Sequence, residues 1–260
     1  MPLREYIYSF KVRDEADFCC IPHFTNMEAP KMNAWFSSLS EQFTRCFIEQ
    51  DRYMLLVRGI GITISVSLLA VVIGIAIGFL IALCNLSNNK LLRGIGGVYT
   101  DVIRGTPSVT QLMIIYFVIF ASVRWPKWII AAIAFGINSG AYVAEIIRAG
   151  ILSIDKGQTE AGRSLGLNAR QTMTGIVMPQ AIKNIFPTLC NEFIVLIKET
   201  AIVGYVGLMD IQKAGDFIKS STFLAFMPLI GTAIIYYIMI KILTIALNKI
   251  EESLRKSDIR

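Results

Sequence analysis

The sequence has few charged side chains for its length. Asp, Glu, Lys and Arg make up 17% of the 260 residues, whereas a soluble domain carries about a quarter. Hydrophobic residues make up 54% of the chain, and residues 59–84 contain no charge at all. This scarcity excludes an ordinary soluble domain and predicts a polytopic membrane protein. The net charge of +6 then needs no nucleic acid, because basic residues in cytoplasmic loops produce the same excess.

Histidine and cysteine are also scarce. The single histidine, His23, lies far from the apolar segments, so these segments lack the usual base of a nucleophilic or metal-assisted enzyme. Cys84 and Cys190 lie in apolar runs, where a thiol behaves as a small hydrophobic group. Cys19 and Cys20 with His23 are too sparse to predict a metal site. We expect neither a catalytic residue nor a metal in this chain.

Five segments are long enough for a bilayer, which needs about 20 apolar residues. They are residues 59–84, 97–123, 128–149, 185–208 and 223–247. The predicted fold class is therefore all-α and polytopic, with about five transmembrane helices. Residues 51–260 form the transmembrane domain. Residues 1–50 form an N-terminal extension with an interfacial helix near residues 35–47, and residues 1–31 are either an accessory segment or an upstream, misassigned start.

The second span is interrupted by polar residues at Arg104, Gly105, Thr106 and Pro107. A backbone break at membrane depth is tolerated only where protein or water satisfies the freed hydrogen-bonding groups. We therefore expect this break to mark an internal or interfacial site and not to face lipid. In the first span, Gly74 and Gly78 form a G-x-x-x-G pattern, which indicates either close helix packing or ordinary glycine usage.

Polar residues within the later spans are candidates for a substrate path. Asn138, Tyr142 and Glu145 share one helix face, although Glu145 has an alternative role in pairing with Arg148. In the fourth span Asn191 and Lys198 form one polar stripe, and Glu192 with Glu199 forms a second. Such residues are costly against lipid, so this helix should face a partner or water.

The polar loop 155–179 is predicted to contain two short helices joined by a glycine turn. Asp155 with Gln158, and Asn168 with Gln171, fit capping boxes, while Gly166 fits a left-handed helix end. Pro179 is expected to stop the second helix. The first helix presents a nearly flat patch with one apolar knob, formed by Ala161, Gly162 and Leu165.

Two other interpretations of this loop are a plain solvated connection and a DNA-binding helix-turn-helix. The membrane spans on both sides argue against DNA binding. The positive-inside rule favours a cytoplasmic position for residues 85–104, 148–184 and the C-terminal tail. This orientation places the N-terminus outside the membrane and the polar loop inside.

The sequence of this loop resembles a pattern found in a known family. Glu160-Ala161-Gly162, Gly166, Ile176 and Pro179 match the pattern E-A-A, three residues, G, nine residues, I-x-L-P of permease subunits in bacterial ABC importers. Gly162 and Met178 depart from the usual alanine and leucine. Further motifs are similar to the polar amino acid uptake branch, at residues 103–107, 140–148, 157–161 and 191–193.

This resemblance implies a function. The chain would be the inner-membrane permease subunit of an ATP-driven amino acid importer and not itself an enzyme. Its loop would couple to an ATPase subunit through Glu160, Ala161, Gly162, Leu165, Gly166 and Pro179. Because the chain has no G-x-x-x-x-G-K-[ST] phosphate loop, a partner would bind ATP and Mg²⁺. The expected partners are two ATP-binding subunits, a second permease chain and an extracytoplasmic binding protein.

An amino acid zwitterion requires a partner for each of its two charges. The substrate-path candidates are therefore Asn138, Tyr142, Asn191, Glu192 and Lys198. An alternative role for Glu192 and Lys198 is a structural ion-pair network that also includes Glu199. An ion-coupled secondary transporter is the alternative function, but it would predict repeated halves with matching broken helices, which the sequence does not display.

Overall fold

The computed structural model describes residues 37–256, with side chains through residue 253. Residues 45–260 group as one unit, and the helices below belong to it. The described residues contain helices and no strand, which confirms the all-α fold class. The interpretations of residues 1–31, of Cys19, Cys20 and His23, and of the start of the 35–47 helix lie outside the described residues.

Nine α-helices make up most of the part of this unit that the structure describes. In chain order they are α1 (Tyr53–Leu86), α2 (Lys90–Arg104), α3 (Ser108–Ile114), α4 (Lys127–Leu152), α5 (Lys156–Ser164), α6 (Ala169–Thr172), α7 (Met178–Glu199), α8 (Ile211–Thr222) and α9 (Phe226–Lys256). Two π-helical turns follow α3 and α6, at Ile115–Ile119 and Met173–Val177, and a 3₁₀ segment, Thr200–Val206, follows α7.

Helix α4 packs against α1 along glycine surfaces on both helices. A side chain at Gly74 would lie 3.2 Å from the Ser139 Cβ, and one at Gly78 would lie 2.5 Å from Val143. On α4, Gly136 and Gly140 repeat the same four-residue spacing, and a Cβ at Gly136 would lie 2.6 Å from the Ile73 Cβ. The Gly74–Gly78 pattern therefore serves close packing, because only small residues allow two helix backbones to approach in this way.

The predicted break in the second span is confirmed. Helices α2 and α3 meet at an angle of 104°. Gly105 follows the last residue of α2, and Pro107 precedes the first residue of α3. Pro107 has an extended ψ of 134°, as expected for a residue that starts a new helix and has no N–H to donate.

Three of the described helices, α1, α4 and α9, are long and apolar enough to cross a membrane, and the bent α2–α3 pair would supply a fourth span. The predicted fourth span corresponds to α7. Its 22 residues give a length of about 33 Å, but its polar residues keep it out of the apolar class, so its crossing stays a prediction. Helix α4 has 67% of its apolar window buried and α9 only 6%, so α4 is the central helix.

The prediction that Pro179 ends the second loop helix is wrong. Met178 has helical angles of φ −62° and ψ −42°, and α7 continues to Glu199. Pro179 occupies the first turn of α7, where a missing N–H costs little. The wide π-helical turn before it supplies the space, since the N–H of Met178 bonds to the carbonyl of Met173.

Asp210 joins three helices at the start of α8. Its fully buried carboxylate accepts hydrogen bonds from the backbone N–H groups of Gln212, at 3.1 Å, and Lys213, at 3.0 Å. The hydroxyl of Tyr236 on α9 donates to the same carboxylate at 3.1 Å. Gly59 on α1 lies so close that a Cβ there would be 2.8 Å from the Asp210 carbonyl. Burial raises the pKa of Asp210.

We expect Asp210→Leu to destabilise the fold strongly, because it leaves three donors without an acceptor. Each orphaned buried donor costs about 1–3 kcal/mol. Asp210→Asn should be milder, since asparagine caps a helix as well as aspartate does. The melting temperature in detergent measures both effects. Equal melting temperatures for wild type and Asp210→Leu would contradict the role of this carboxylate.

Candidate functional site

The polar loop 155–177 is folded by its own caps. The carboxylate of Asp155 accepts from the backbone N–H of Gly157 at 2.6 Å. Helix α5 ends with the N–H of Leu167 bonded to the Gly162 carbonyl at 3.2 Å and that of Gly166 bonded to Arg163 at 3.1 Å. These two bonds form a Schellman motif. The predicted left-handed Gly166 is confirmed, with φ of +84°.

The capping predictions differ in outcome between the two helices. The box of Asn168 and Gln171 is confirmed, because each side chain accepts from the other residue's backbone N–H at 2.9 Å. On α5, Asp155 caps the helix, but Gln158 does not complete a box. Its side-chain oxygen accepts instead from the Gln180 amide of α7 at 3.3 Å. This contact ties α5 to α7.

Gly162 lies inside the loop and not on its surface. A Cβ at this position would be 2.8 Å from both Thr172 and Ile176. The prediction that Gly162 belongs to an exposed flat patch is therefore wrong, because α6 and the following π-helical turn cover that side of α5. Its small size sets the spacing between the two halves of the loop.

The exposed face of α5 contains Glu160, Ala161, Leu165 and Gly166. Leu165 is 81% exposed, which makes it a projecting apolar side chain on an otherwise polar surface. Arg163 points its guanidinium back to the Leu167 carbonyl at 3.0 Å and so supports the turn beneath Leu165. A single apolar anchor on a rigid turn, with a carboxylate beside it, fits a shallow groove in another protein.

The loop is connected to α7 without a flexible joint. The π-helical turn Met173–Val177 runs directly into α7. At the start of α7, the Asn184 amide donates to the Ser153 hydroxyl at 2.9 Å, and Ile185 packs against the backbone of Gly150. These contacts join the first turns of α7, next to the loop, to the end of α4.

Gln111 satisfies the break between α2 and α3. Its amide nitrogen donates to the carbonyl of Ile103 at 2.7 Å and to the hydroxyl of Thr106 at 2.6 Å. Its carbonyl oxygen accepts from Asn138 on α4 at 2.9 Å. Asn138 and Gln111 are both buried. Arg104, Gly105, Thr106 and Pro107 are themselves exposed, so an internal position of the break stays a prediction. The bond between Gln111 and Asn138 connects the break to the central helix.

The remaining polar residues of α4 also have partners. The Arg104 guanidinium lies 5.5 Å from the ring centre of Tyr142, within the range of a cation–π contact. Glu145 and Arg148 form a two-bond ion pair, at 2.5 Å and 2.9 Å. The pairing alternative for Glu145 is therefore the observed arrangement.

The polar residues of α7 fall into two groups. Glu192 accepts a hydrogen bond from the Ser139 hydroxyl on α4 at 3.1 Å, so it faces the central helix. Asn191 and Lys198 are exposed. Between residues 45 and 253, none of the described ion pairs joins Glu192, Lys198 or Glu199, so the alternative of a structural ion-pair network is not observed.

Sequence analysis missed Gln111, Ser139 and the contact of Arg104 with Tyr142. Gln111 begins an apolar run and Ser139 follows Asn138, and both are polar residues without an evident partner in the sequence. Such isolated polar residues in a membrane segment must bond to something. This rule could have indicated from the sequence that Gln111 and Ser139 have bonding partners.

We expect Gln111→Leu to lower the melting temperature in detergent, because it removes the donor for two oxygen atoms at the break and the acceptor for Asn138. Thr110→Val, on the exposed side of the same helix, is the matched control and should have little effect. The double variant with Asn138→Leu should lose less than the sum of the single changes, since both remove one network. Additive losses would contradict the bond between the two residues.

The sequence is similar to those of a known protein family and of several known proteins. Residues 74–256 match the family described as binding-protein-dependent transport system inner membrane component. The chain is 42% identical over 205 residues to the putative glutamine transport system permease protein GlnP of Rickettsia bellii (strain RML369-C), which covers 78% of this chain and 94% of the relative. It is 39% identical over 205 residues, with the same coverage, to the arginine transport system permease protein ArtQ of Bacillus subtilis (strain 168).

Solved structures share the fold. A crystal structure described as an amino acid ABC transporter with histidines has 37% identity and a TM-score of 0.72, covering 88% of this chain and 99% of that one. An inward-facing structure of the MetNI methionine ABC transporter has a TM-score of 0.68 at 19% identity, covering 79% and 99%, and it supports the fold alone. Together with the family match, these findings show that the chain belongs to the inner-membrane permease subunits of binding-protein-dependent ABC importers.

Proposed function

We propose that this chain forms the membrane path of an amino acid importer and that its 155–179 loop docks in a groove of a cytoplasmic ATPase subunit. One observation carries the coupling role. Glu160 lies on α5, and the exposed Leu165 lies on the turn that a Schellman motif fixes at the end of α5. From Ala169 onward the chain continues into α7 through helical backbone. A docking surface that needs no ordering on binding loses little conformational entropy.

The coupling residues divide into two roles. Glu160, Ala161 and Leu165 form the contact surface, with Glu160 available to a basic groove residue and Leu165 as the apolar anchor. Gly162, Gly166 and Pro179 shape the loop. Gly162 allows close packing inside it, Gly166 supplies the left-handed turn, and Pro179 starts α7 without requiring a donor.

Transport follows from the rigidity of this connection. When two ATPase subunits close around ATP and Mg²⁺, the docked loop moves with them as a rigid body. Movement of α7 then shifts Glu192 against Ser139 of α4, and this changes the side from which the path is open. ATP hydrolysis occurs in the partner subunit, and the permease needs no cofactor of its own.

The substrate is a polar amino acid. Relatives carry the names of glutamine and arginine transport permeases, which supports this class. We propose that Asn138, Tyr142, Asn191, Glu192 and Lys198 contact it along the path. Glu192 can pair with an ammonium group and Lys198 can pair with a carboxylate. The amides of the two asparagines offer both donors and acceptors.

The assembly contains two permease chains, two ATPase subunits and an extracytoplasmic binding protein. The N-terminus lies outside and the tail in the cytoplasm, as the positive-inside rule favours. The exposed apolar side chains of α9, of which Tyr237 and Ile242 are 68% and 64% exposed, suit contact with lipid or with the second permease chain. The ion-coupled alternative is not favoured, because the relatives are permease subunits of ABC systems.

We expect Glu160→Arg to abolish co-purification of the ATPase subunit and cellular uptake of labelled L-glutamine and L-arginine, because it places a cation in the docking surface. The side chain is exposed, so the permease itself should keep its melting temperature. Co-purification in detergent and uptake in intact cells measure the two losses.

The matched control is Glu252→Arg, which makes the same charge reversal at an exposed site on α9, proposed to lie on the same side of the membrane. It should retain both the ATPase subunit and uptake. A Glu160→Arg protein that keeps the ATPase subunit would contradict the docking role. Absence of an ATPase subunit from the wild-type preparation would contradict the proposed function itself.

A further inference from the structure

A cleft lies at the opposite end of α7 from the loop. It has a volume of about 540 Å³ and is bounded by the 3₁₀ segment Thr200–Val206 and by α8. Since α7 has 22 residues, about 33 Å of helix separate this cleft from the loop. With the loop in the cytoplasm, the cleft faces the extracytoplasmic side. Its volume is within the range of small-molecule sites.

The cleft combines opposite charges with an apolar wall. Lys213 and Asp216 lie three residues apart on α8, and so they share one helix face. Ala201 and Ile202 form part of the wall, and Gln212 and Tyr205 add an amide and an aromatic ring.

Backbone contacts at Gly204 and at the start of α8 hold Lys213 at the cleft. Its side chain crosses Gly204, where a Cβ would lie 3.2 Å from the Lys213 Cδ. Its backbone N–H bonds to the buried carboxylate of Asp210 at 3.0 Å, which fixes the start of α8. The position of the lysine therefore depends on the packed base of α8 and not on a mobile loop.

Asp216 is available to a ligand. Its present partner is Lys219, at 2.8 Å, and both side chains are 39% exposed. An exposed ion pair of this kind contributes about 0–1 kcal/mol, so an ammonium group of a ligand can replace Lys219 at small cost. Lys213 supplies the complementary cation for a carboxylate.

We propose that this cleft binds the α-ammonium and α-carboxylate groups of an amino acid where it enters the path. Lys213 binds the carboxylate, Asp216 binds the ammonium group, and Gln212 with Tyr205 contacts the side chain. From here the substrate passes to Lys198 at the end of α7, which precedes the 3₁₀ segment by two residues. This inference rests on the proposed function, which supplies the orientation and the substrate class.

The test is direct binding of small molecules to the permease in lipid nanodiscs without a binding protein. Saturation-transfer NMR is recorded with L-glutamine, with L-arginine, and with agmatine, which is arginine without its carboxylate. We expect wild type to bind an amino acid and to bind agmatine much more weakly. Lys213→Met should weaken amino acid binding about tenfold, the loss of one charge-assisted hydrogen bond, and should leave agmatine binding unchanged.

Lys249→Met is the matched control, because it removes the same charge from an exposed site on α9 that does not line the cleft. It should retain amino acid binding. The proposal is overturned if wild type binds no amino acid or if Lys213→Met binds an amino acid as well as wild type does. Amino acid uptake by wild-type cells tests the proposed function separately.

Discussion

The close approach of α1 and α4 is the constraint on which the rest of this structure depends. Gly74, Gly78, Gly136 and Gly140 have no side chain where the two helices meet. Because no hydrophobic force acts between helices in lipid, this close packing holds the two helices together. Two polar contacts between helices start from α4. Asn138 reaches the α2–α3 break, and Ser139 reaches α7.

Helix α7 links the two ends of the molecule to this central pair. Its first turns are braced to the end of α4 by Asn184 and Ile185, next to the loop that we propose docks on the ATPase. Its last turn carries Lys198 and leads into the 3₁₀ segment. Every residue from Ala169 to Glu199 is helical, and Pro187 lies inside α7. We propose that a push on the loop reaches the far end through this continuous helical backbone.

The sequence predicted most of the local caps and turns correctly but did not predict the long-range packing. The caps at Asp155 and Asn168 and the turn at Gly166 depend on neighbours in the chain, and they were predicted correctly. Pro179 was misjudged because a π-helical turn, which has no clear sequence signal, makes room for it. Burial of Gly162 and the bonds of Gln111 depend on elements folded back from elsewhere, and a pattern along one helix cannot identify the partner.

Rigid transmission through α7 is the central claim, and a distance measurement tests it most directly. Spin labels at Thr174 and Lys198, in a chain whose native cysteines are replaced, report the distance from the loop to the far end of α7 in the assembled complex. We predict that this distance is the same with and without ATP, while the distance between the two copies of position 198 changes. A change in the within-chain distance on ATP binding would contradict transmission by a rigid helix.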